Sequence, residues 1–151
     1  MKIEKISNSD FAIFVNSNYL DIKDFKDYDE IVRYVKIFVK KLKNKLNIKG
    51  FYKLKVFVSD KVGLFIDVIK IDDLEYSNIL DLRVMVFMDC EIYFETDDYF
   101  LIKESKKIVF YNNKFYCSVS DLKGDIYKYC EFGNFIYGDD IFRIKELGII
   151  I

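Results

Sequence analysis

The stretch that most constrains the fold is residues 106–119, in which two β-rich runs flank Asn112 and Asn113. Asparagine tolerates the positive φ angles of a tight two-residue turn, so this stretch predicts a β-hairpin. The register would pair Tyr111 with Lys114, Phe110 with Phe115, Val109 with Tyr116 and Ile108 with Cys117. The face with Phe110 and Phe115 is then apolar and needs a cover, whereas the opposite face can end at the surface. A hairpin alone is marginal in water, so further strands are expected beside it.

Residues 27–46 have the pattern of one long amphipathic helix. Asp27 and Glu30 stand where a capping box requires them, and Gly50 lies just past the end. The apolar residues recur at helical spacing and define a broad face, namely Tyr28, Ile31, Val32, Val35, Phe38, Val39, Leu42 and Leu46. Such a face needs a sheet to lie on.

Alternating apolar residues predict strands on both sides of this helix, at 3–6, 10–15, 51–59 and 64–71. Residues 1–73 therefore form a predicted β-β-α-β-β unit, and the acidic stretch 72–81 is its connecting loop. Residues 74–151 form a second β-rich unit, with strands at 82–88, 91–96 and 99–102 before the late hairpin. Short helices are predicted within 120–131 and 139–147. The expected fold is α+β, with antiparallel sheets, one long N-terminal helix and short C-terminal helices, packed closely as one compact chain.

Composition excludes several kinds of chemistry. The chain has no His, which removes Ser-His and Cys-His nucleophilic machinery and the commonest metal ligand. Its three cysteines have no metal-binding spacing and are expected to be buried thiols in a reducing, cytoplasmic compartment. Five acids lie within 89–98, but Asp97 and Asp98 indicate a turn between strands and no loop has the spacing of metal ligands, so neither a metal nor a cofactor is expected. With 24 basic and 25 acidic residues, the whole chain gives no reason to expect nucleic acid, and no apolar run could span a membrane.

A basic stripe lies on the polar side of the predicted helix. Arg33, Lys36, Lys40 and Lys43 follow each other at three- and four-residue steps. The stripe could meet phosphates or an acidic partner, or it could be a solvated face whose lysines suit the helix dipole. No aromatic residues interleave with these charges to stack bases, which favours the solvated face.

Segments spread along the chain resemble the MecA family of adaptor proteins, which present clients to a Clp-type AAA+ unfoldase. The segments that carry the resemblance are residues 1–6, 50 and 60–66, the late hairpin at 110–116, residues 129–133 and residues 143–150. The resemblance implies a non-enzymatic adaptor or regulatory protein that links a client to a Clp-type ATPase. No catalytic residue is nominated by the sequence.

The predicted partner-binding residues are Tyr129, Glu131, Arg143 and Glu146, because interfaces favour such mixtures of aromatic and charged side chains. A structural role is the alternative, in which Tyr129 fills the core and the glutamates only solvate helix ends. Ile149, Ile150 and Ile151 would be a liability if exposed, so they are expected to pair into a sheet or to be buried by a partner. A second function hypothesis is therefore a dimeric secretion or mobile-element chaperone, in which the apolar C-terminal stretch and an edge strand form the homodimer.

Overall fold

The computed structural model describes residues 1–20, 26–71 and 80–151. It divides into two compact units, Met1–Asp89 and Cys90–Ile151. The division falls later in the chain than residue 73, where the sequence suggested it. The predicted connecting loop at 72–81 falls mostly on residues 72–79, which lie outside the described residues, as do residues 21–25.

The first unit is built on a five-stranded sheet in the order β1-β2-β4-β3-β5. Its strands are β1 (Lys2–Lys5), β2 (Phe11–Asn16), β3 (Gly50–Ser59), β4 (Gly63–Lys70) and β5 (Leu80–Phe87). All neighbours are antiparallel except β3 and β5, which run parallel. The α+β fold with antiparallel sheets is thus confirmed, with β3-β5 as a parallel pair within the first sheet. Residues 82–88, predicted in the second unit, belong to the first sheet, because pairing between strands distant in sequence leaves no local pattern.

The long N-terminal helix predicted at 27–46 is two helices, α1 (Tyr28–Lys41) and α2 (Lys43–Leu46). Asp27 caps α1 as predicted, since its side chain accepts a hydrogen bond from the Glu30 backbone N–H at 3.2 Å. At Leu42 the backbone N–H donates to the carbonyl of Val39, three residues back, at 3.1 Å. The last turn of α1 therefore tightens, as is common at helix ends, and a second short helix starts after Leu42.

The core of the first unit lies between α1 and one face of the sheet. Ile31, Val35 and Val39 on α1 are fully buried and pack in one cluster with Leu54 and Val56 of β3. The three- and four-residue spacing on the helix and the two-residue spacing on the strand bring these side chains together. The predicted apolar helix face is thus the face that packs on the sheet, except for Tyr28, which is 47% exposed.

The second unit has its own five-stranded sheet, in the order β10-β7-β8-β6-β9 and antiparallel throughout. Its strands are β6 (Tyr93–Thr96), β7 (Val109–Tyr111), β8 (Lys114–Ser118), β9 (Gly133–Ile136) and β10 (Ile149–Ile150). The late hairpin is β7-β8, and its register from Tyr111–Lys114 to Val109–Tyr116 is confirmed. Asn112 and Asn113 have the expected positive φ, at 51° and 63°.

The helical segments of the second unit differ in part from the predicted ones. Residues 99–102, predicted as a strand, form the one-turn helix α3 (Tyr99–Ile102), because the Asp98 side chain accepts from the Phe100 N–H at 3.0 Å and caps it. The helix predicted within 120–131 is two 3-10 segments, Val119–Asp121 and Ile126–Glu131. The last helix, α4 (Asp139–Leu147), matches its prediction and ends at Gly148.

The hairpin face expected at the surface is buried. Val109 and Tyr116 lie in one apolar cluster with Tyr93 of β6 and with Ile141 and Ile144 of α4. The sequence pattern missed this because α4 follows the hairpin by some twenty residues, so its cover is a tertiary contact. Within the residues described, no helix is long and apolar enough to cross a membrane.

Candidate functional site

The outer side of α4 is an exposed surface of mixed apolar and charged residues. Ile141 and Ile144 point into the sheet, whereas Phe142, Arg143, Glu146 and Leu147 face outward. Phe142 is 68% exposed and Leu147 is 64% exposed. Arg143 and Glu146 are also exposed. Leu147 follows Arg143 by four residues, so the two are neighbours on the helix surface.

The β10 strand follows α4 directly and lies at the edge of the second sheet. Ile149 pairs with Phe110, and the backbone N–H of Ile151 donates to the carbonyl of Ile108 at 3.0 Å. Because backbone groups alternate along an antiparallel strand, the N–H and C=O of Ile150 point away from β7, toward the edge. All three isoleucines are more than 60% exposed. They are thus paired into a sheet, as expected, and still present apolar side chains.

We call the exposed residues of α4 and β10 the C-terminal surface. It consists of Phe142, Arg143, Glu146, Leu147, Ile149, Ile150 and Ile151. Charged groups beside large apolar side chains are typical of protein interfaces, and clustered apolar exposure marks interaction sites.

The four residues predicted to bind a partner do not all belong to this surface. Arg143 and Glu146 do. Tyr129 lies on the other face of the second sheet, because its ring packs edge-on against Phe94 at 5.5 Å, whereas the adjacent Tyr93 faces α4. Tyr129 is half-buried, so the alternative of a core role fits its position. Glu131 is exposed at the end of its 3-10 segment.

Phe142 and Leu147 are the surface residues that sequence reasoning missed. The signal was present for Phe142, which directly follows Ile141 and falls outside the spacing of Ile141 and Ile144. Leu147 continues that three-residue spacing, so only the structure shows that it is exposed. An apolar residue off the buried stripe of a helix is a candidate contact for another molecule.

A second candidate is a cavity of about 250 Å³ beside α4. Its polar lining comes from Glu91, Tyr93, Lys107, Tyr116, Ser118, Asp121 and Lys145. The Lys145 ammonium lies 2.5 Å from Glu91 Oε2 and 5.7 Å from the centroid of the Tyr93 ring. Two acids and two lysines leave the lining without a net charge.

The surroundings of three residues that line this cavity keep them protonated. The hydrogen bond to Glu91 raises the pKa of Lys145, so its amine stays charged. Burial raises the pKa of Tyr93, and burial also raises the pKa of the Cys117 thiol. At neutral pH these groups are an ammonium, a phenol and a thiol, and none of them is a nucleophile or a general base in that form.

Other sequence-based candidates have clear positions. All three cysteines are described and none forms a disulfide; Cys117 is buried, Cys90 is half-buried and Cys130 is exposed, so the prediction that all three are buried is wrong for Cys130. Within the described ranges, no group of three or more Cys, Asp or Glu side chains is placed to hold a metal ion.

The basic stripe is divided between the two N-terminal helices. Arg33, Lys36 and Lys40 lie on α1, and Lys43 is the first residue of α2. Arg33 and Lys40 are exposed, and Lys36 and Lys43 are half-buried. That this stripe is a solvated face stays a prediction.

Comparison with known proteins gives no relative: no family model, no curated protein and no solved structure matches this chain.

Proposed function

We propose that this protein acts by binding other proteins, as a cytoplasmic adaptor that links a client to a Clp-type ATPase. The observation that carries the proposal is the C-terminal surface, where exposed Phe142 and Leu147 stand beside Arg143 and Glu146 on one helix. A buried apolar anchor surrounded by charged residues is the usual anatomy of a protein interface.

The Clp-type ATPase is named as partner because of the resemblance of residues 1–6, 60–66, 110–116 and 143–150 to MecA adaptors. Two units with separate sheets also suit a linking protein, since each unit can present its own binding surface. Three thiols without a disulfide suit the cytoplasm.

The test is binding of the whole protein to a purified, ATP-bound Clp-type ATPase by biolayer interferometry. The variant Arg143→Glu/Glu146→Lys reverses both charges of the C-terminal surface, and adding Glu131→Lys tests whether Glu131 belongs to the same interface. We expect the double variant to lose at least about tenfold in affinity while keeping its circular dichroism and melting temperature, since exposed charges add little to stability.

Phe100→Ser is the matched control, because Phe100 is also a large exposed apolar residue of the second unit but lies on α3. It should bind like wild type, whereas Phe142→Ser should not. Absence of binding by the wild-type protein, or unchanged binding by the double variant, would reject the ATPase as partner.

A second candidate function is that of a dimeric chaperone or binding module, favoured by the outward N–H and C=O of Ile150 at the edge of the sheet. Two β10 strands could pair across a two-fold axis through these groups. Light scattering would then give twice the monomer mass of 18.1 kDa. Ile150→Lys should return the protein to the monomer mass, because a charged edge blocks pairing. A monomer at all accessible concentrations excludes this candidate.

A further inference from the structure

Four phenylalanines form a row across the face of the first sheet that α1 does not cover. The register sets Phe14 opposite Phe65, Phe65 opposite Phe57, and Phe57 opposite Phe87, on β2, β4, β3 and β5. The rings of Phe14 and Phe65 stack with centroids 4.7 Å apart, and those of Phe57 and Phe87 stack at 5.0 Å. Because side chains alternate along a strand, this row lies opposite the core residues Val56 and Ile66.

The row becomes accessible toward β5. Phe65, in the middle, is 4% exposed, whereas Phe87, at the end, is 39% exposed. Met85 and Arg83 continue the same face of β5 and are exposed as well. The part of the face that another molecule can reach is therefore the β5 margin.

β5 is also an open edge among the described strands, since only β3 is paired with it. It is eight residues long and contains no proline. Natural proteins usually blunt such edges, because a row of outward N–H and C=O groups is a template for another strand.

Two positive charges stand directly opposite each other beside this edge, although carboxylates lie near them on the same face. Lys53 lies directly opposite Arg83 in the β3-β5 register, and Lys55 is the next residue of β3 on the same face. None of the three forms a salt bridge with another described residue. Like charges directly opposite each other are destabilising, so a carboxylate from a partner would relieve this pair.

We propose that the β5 edge binds an extended polypeptide segment as an added strand of the first sheet, and that this segment carries apolar side chains at alternate positions with an acidic residue beside them. An added strand would set its side chains in the same rows as those of β5. Apolar side chains would lie against Phe87 and Met85, and the acidic side chain would lie against Arg83. Main-chain hydrogen bonds supply affinity in this mode, and alternate side chains supply specificity.

The same face fits single-stranded nucleic acid less well. The rings of the row are already stacked on one another, with centroids 4.7 and 5.0 Å apart, and leave no room for a base between them. The cations also alternate with carboxylates, since Asp67 lies opposite Lys55 and Asp81 is on the same face of β5 as Arg83. A phosphate backbone favours a continuous positive track.

The inference deepens the proposed function, because it names the surface and the class of segment that a linking protein would take from its client.

The inference is tested on the whole protein without any ATPase. The probe is a fluorescein-labelled seven-residue peptide, Glu-Thr-Phe-Thr-Phe-Thr-Glu, whose symmetric pattern suits either strand direction. Fluorescence anisotropy should show saturable binding, and a peptide of equal composition with adjacent phenylalanines should bind at least about tenfold more weakly.

Backbone methylation tests strand addition directly. Successive N–H groups of a strand point to opposite edges, so two peptides are made, each N-methylated at one set of alternate amides. Strand addition predicts that at least one of these peptides keeps binding, because a symmetric strand can turn its unmethylated edge to β5, and that a peptide methylated at both sets loses binding. Loss in both singly methylated peptides, or retention in the doubly methylated one, would overturn the proposal.

Protein variants locate the site. Phe87→Ser should lower affinity for the peptide about tenfold, and Arg83→Glu should do so for this peptide but not for one with Gln in place of Glu. Ile37→Ser, on an exposed position of α1, is the control and should change nothing. Unchanged affinity in Phe87→Ser overturns the assignment to β5.

Two further outcomes would also overturn it. In the first, a labelled twelve-nucleotide oligouridine displaces the peptide and its own binding is lost in Arg83→Glu, which would make the face a nucleic-acid site. A wild-type dimer that Phe87→Ser converts to monomer would mean that a second copy occupies the edge. Phe87→Ser and Arg83→Glu should both still bind the Clp-type ATPase. If the wild-type protein binds the ATPase but not the peptide, this inference is rejected and the proposed function is not.

Discussion

The Tyr116 hydroxyl donates a 2.6 Å hydrogen bond to Oε2 of Glu95, its cross-strand partner between β8 and β6. Tyr116 is buried beneath α4, in the cluster with Ile141 and Ile144. Burial, together with the bond to Glu95, raises the pKa of Tyr116 above its ordinary value of 10.0. The pair thus keeps a protonated phenol in the core of the second unit.

This pair predicts a loss of stability at alkaline pH. A tyrosine whose pKa is higher in the folded state gives a contribution that is complete below pH 10, where both states are protonated. That contribution is lost as pH rises further, because the unfolded chain ionises first. The free energy of unfolding should therefore fall above pH 10, and Tyr116→Phe should make the fall shallower.

The measurement is urea unfolding at pH 8 to 11, followed by circular dichroism. Tyr19→Phe serves as the control, since Tyr19 is 76% exposed and its removal should leave the wild-type pH dependence. If Tyr116→Phe follows the wild-type curve at every pH, the buried phenol has no part in the alkaline transition.

Local pattern was enough to predict those elements whose partners are near in sequence. The β7-β8 hairpin has the register that Asn112 and Asn113 imply, and Asp27 caps α1 as its position before Glu30 indicates. In both, a turn or cap residue fixes backbone geometry within a few positions.

Distant contacts explain what the sequence did not predict. The parallel pairing of β5 with β3 joins strands separated by another strand and by residues 72–79. The alternation of apolar and polar residues in β5 does not indicate which strand it pairs with. The apolar run 99–102 is short enough to read as a strand, and only the cap at Asp98 makes it α3.

The candidate site was predictable only for those residues whose position a local pattern decides. Arg143 and Glu146 lie on the exposed side of a helix whose period is visible in the sequence. Tyr129 could not be separated from them, because its position depends on whether it packs with Phe94 or with Tyr93, and these neighbours point to opposite faces.

Two isoleucines of α1 give a matched test of the first core. Ile31 is 0% exposed and packs on the sheet, whereas Ile37 is 50% exposed. Ile31→Ala should lower the free energy of unfolding by about 2 to 5 kcal/mol, because it leaves a cavity. Ile37→Ala should change it by less than about 1 kcal/mol. Chemical denaturation of both variants checks this, and similar costs would mean that α1 is rotated from the orientation described.

Gly133 marks a close approach in the second sheet. A Cβ at this position would overlap the Glu95 carbonyl oxygen and would lie 2.7 Å from a ring carbon of Phe94. Gly133→Ala should therefore cost about 3 kcal/mol or more, because the neighbouring backbone cannot move aside without breaking the β6-β9 pairing.

Gly124→Ala is the control for this substitution in the same unit. Gly124 has a positive φ of 76°, but nothing lies within 4 Å of its added Cβ. Its cost should be only the backbone strain, about 1 kcal/mol. Thermal or urea unfolding of both variants decides the matter, and equal melting points would contradict the close approach at Gly133.

The three cysteines should react with N-ethylmaleimide in the order of their exposure, Cys130 first, then Cys90, then Cys117. Cys117 should be slowest for two reasons: it is 1% exposed, and burial raises the pKa of its thiol, which lowers the fraction of reactive thiolate at any given pH. Its labelling then requires opening of the second unit, so it should accelerate in urea near the unfolding midpoint. Peptide mapping by mass spectrometry after timed quenching gives the three rates separately. Labelling of Cys117 as fast as Cys130 in native buffer would show that β8 is not covered as described.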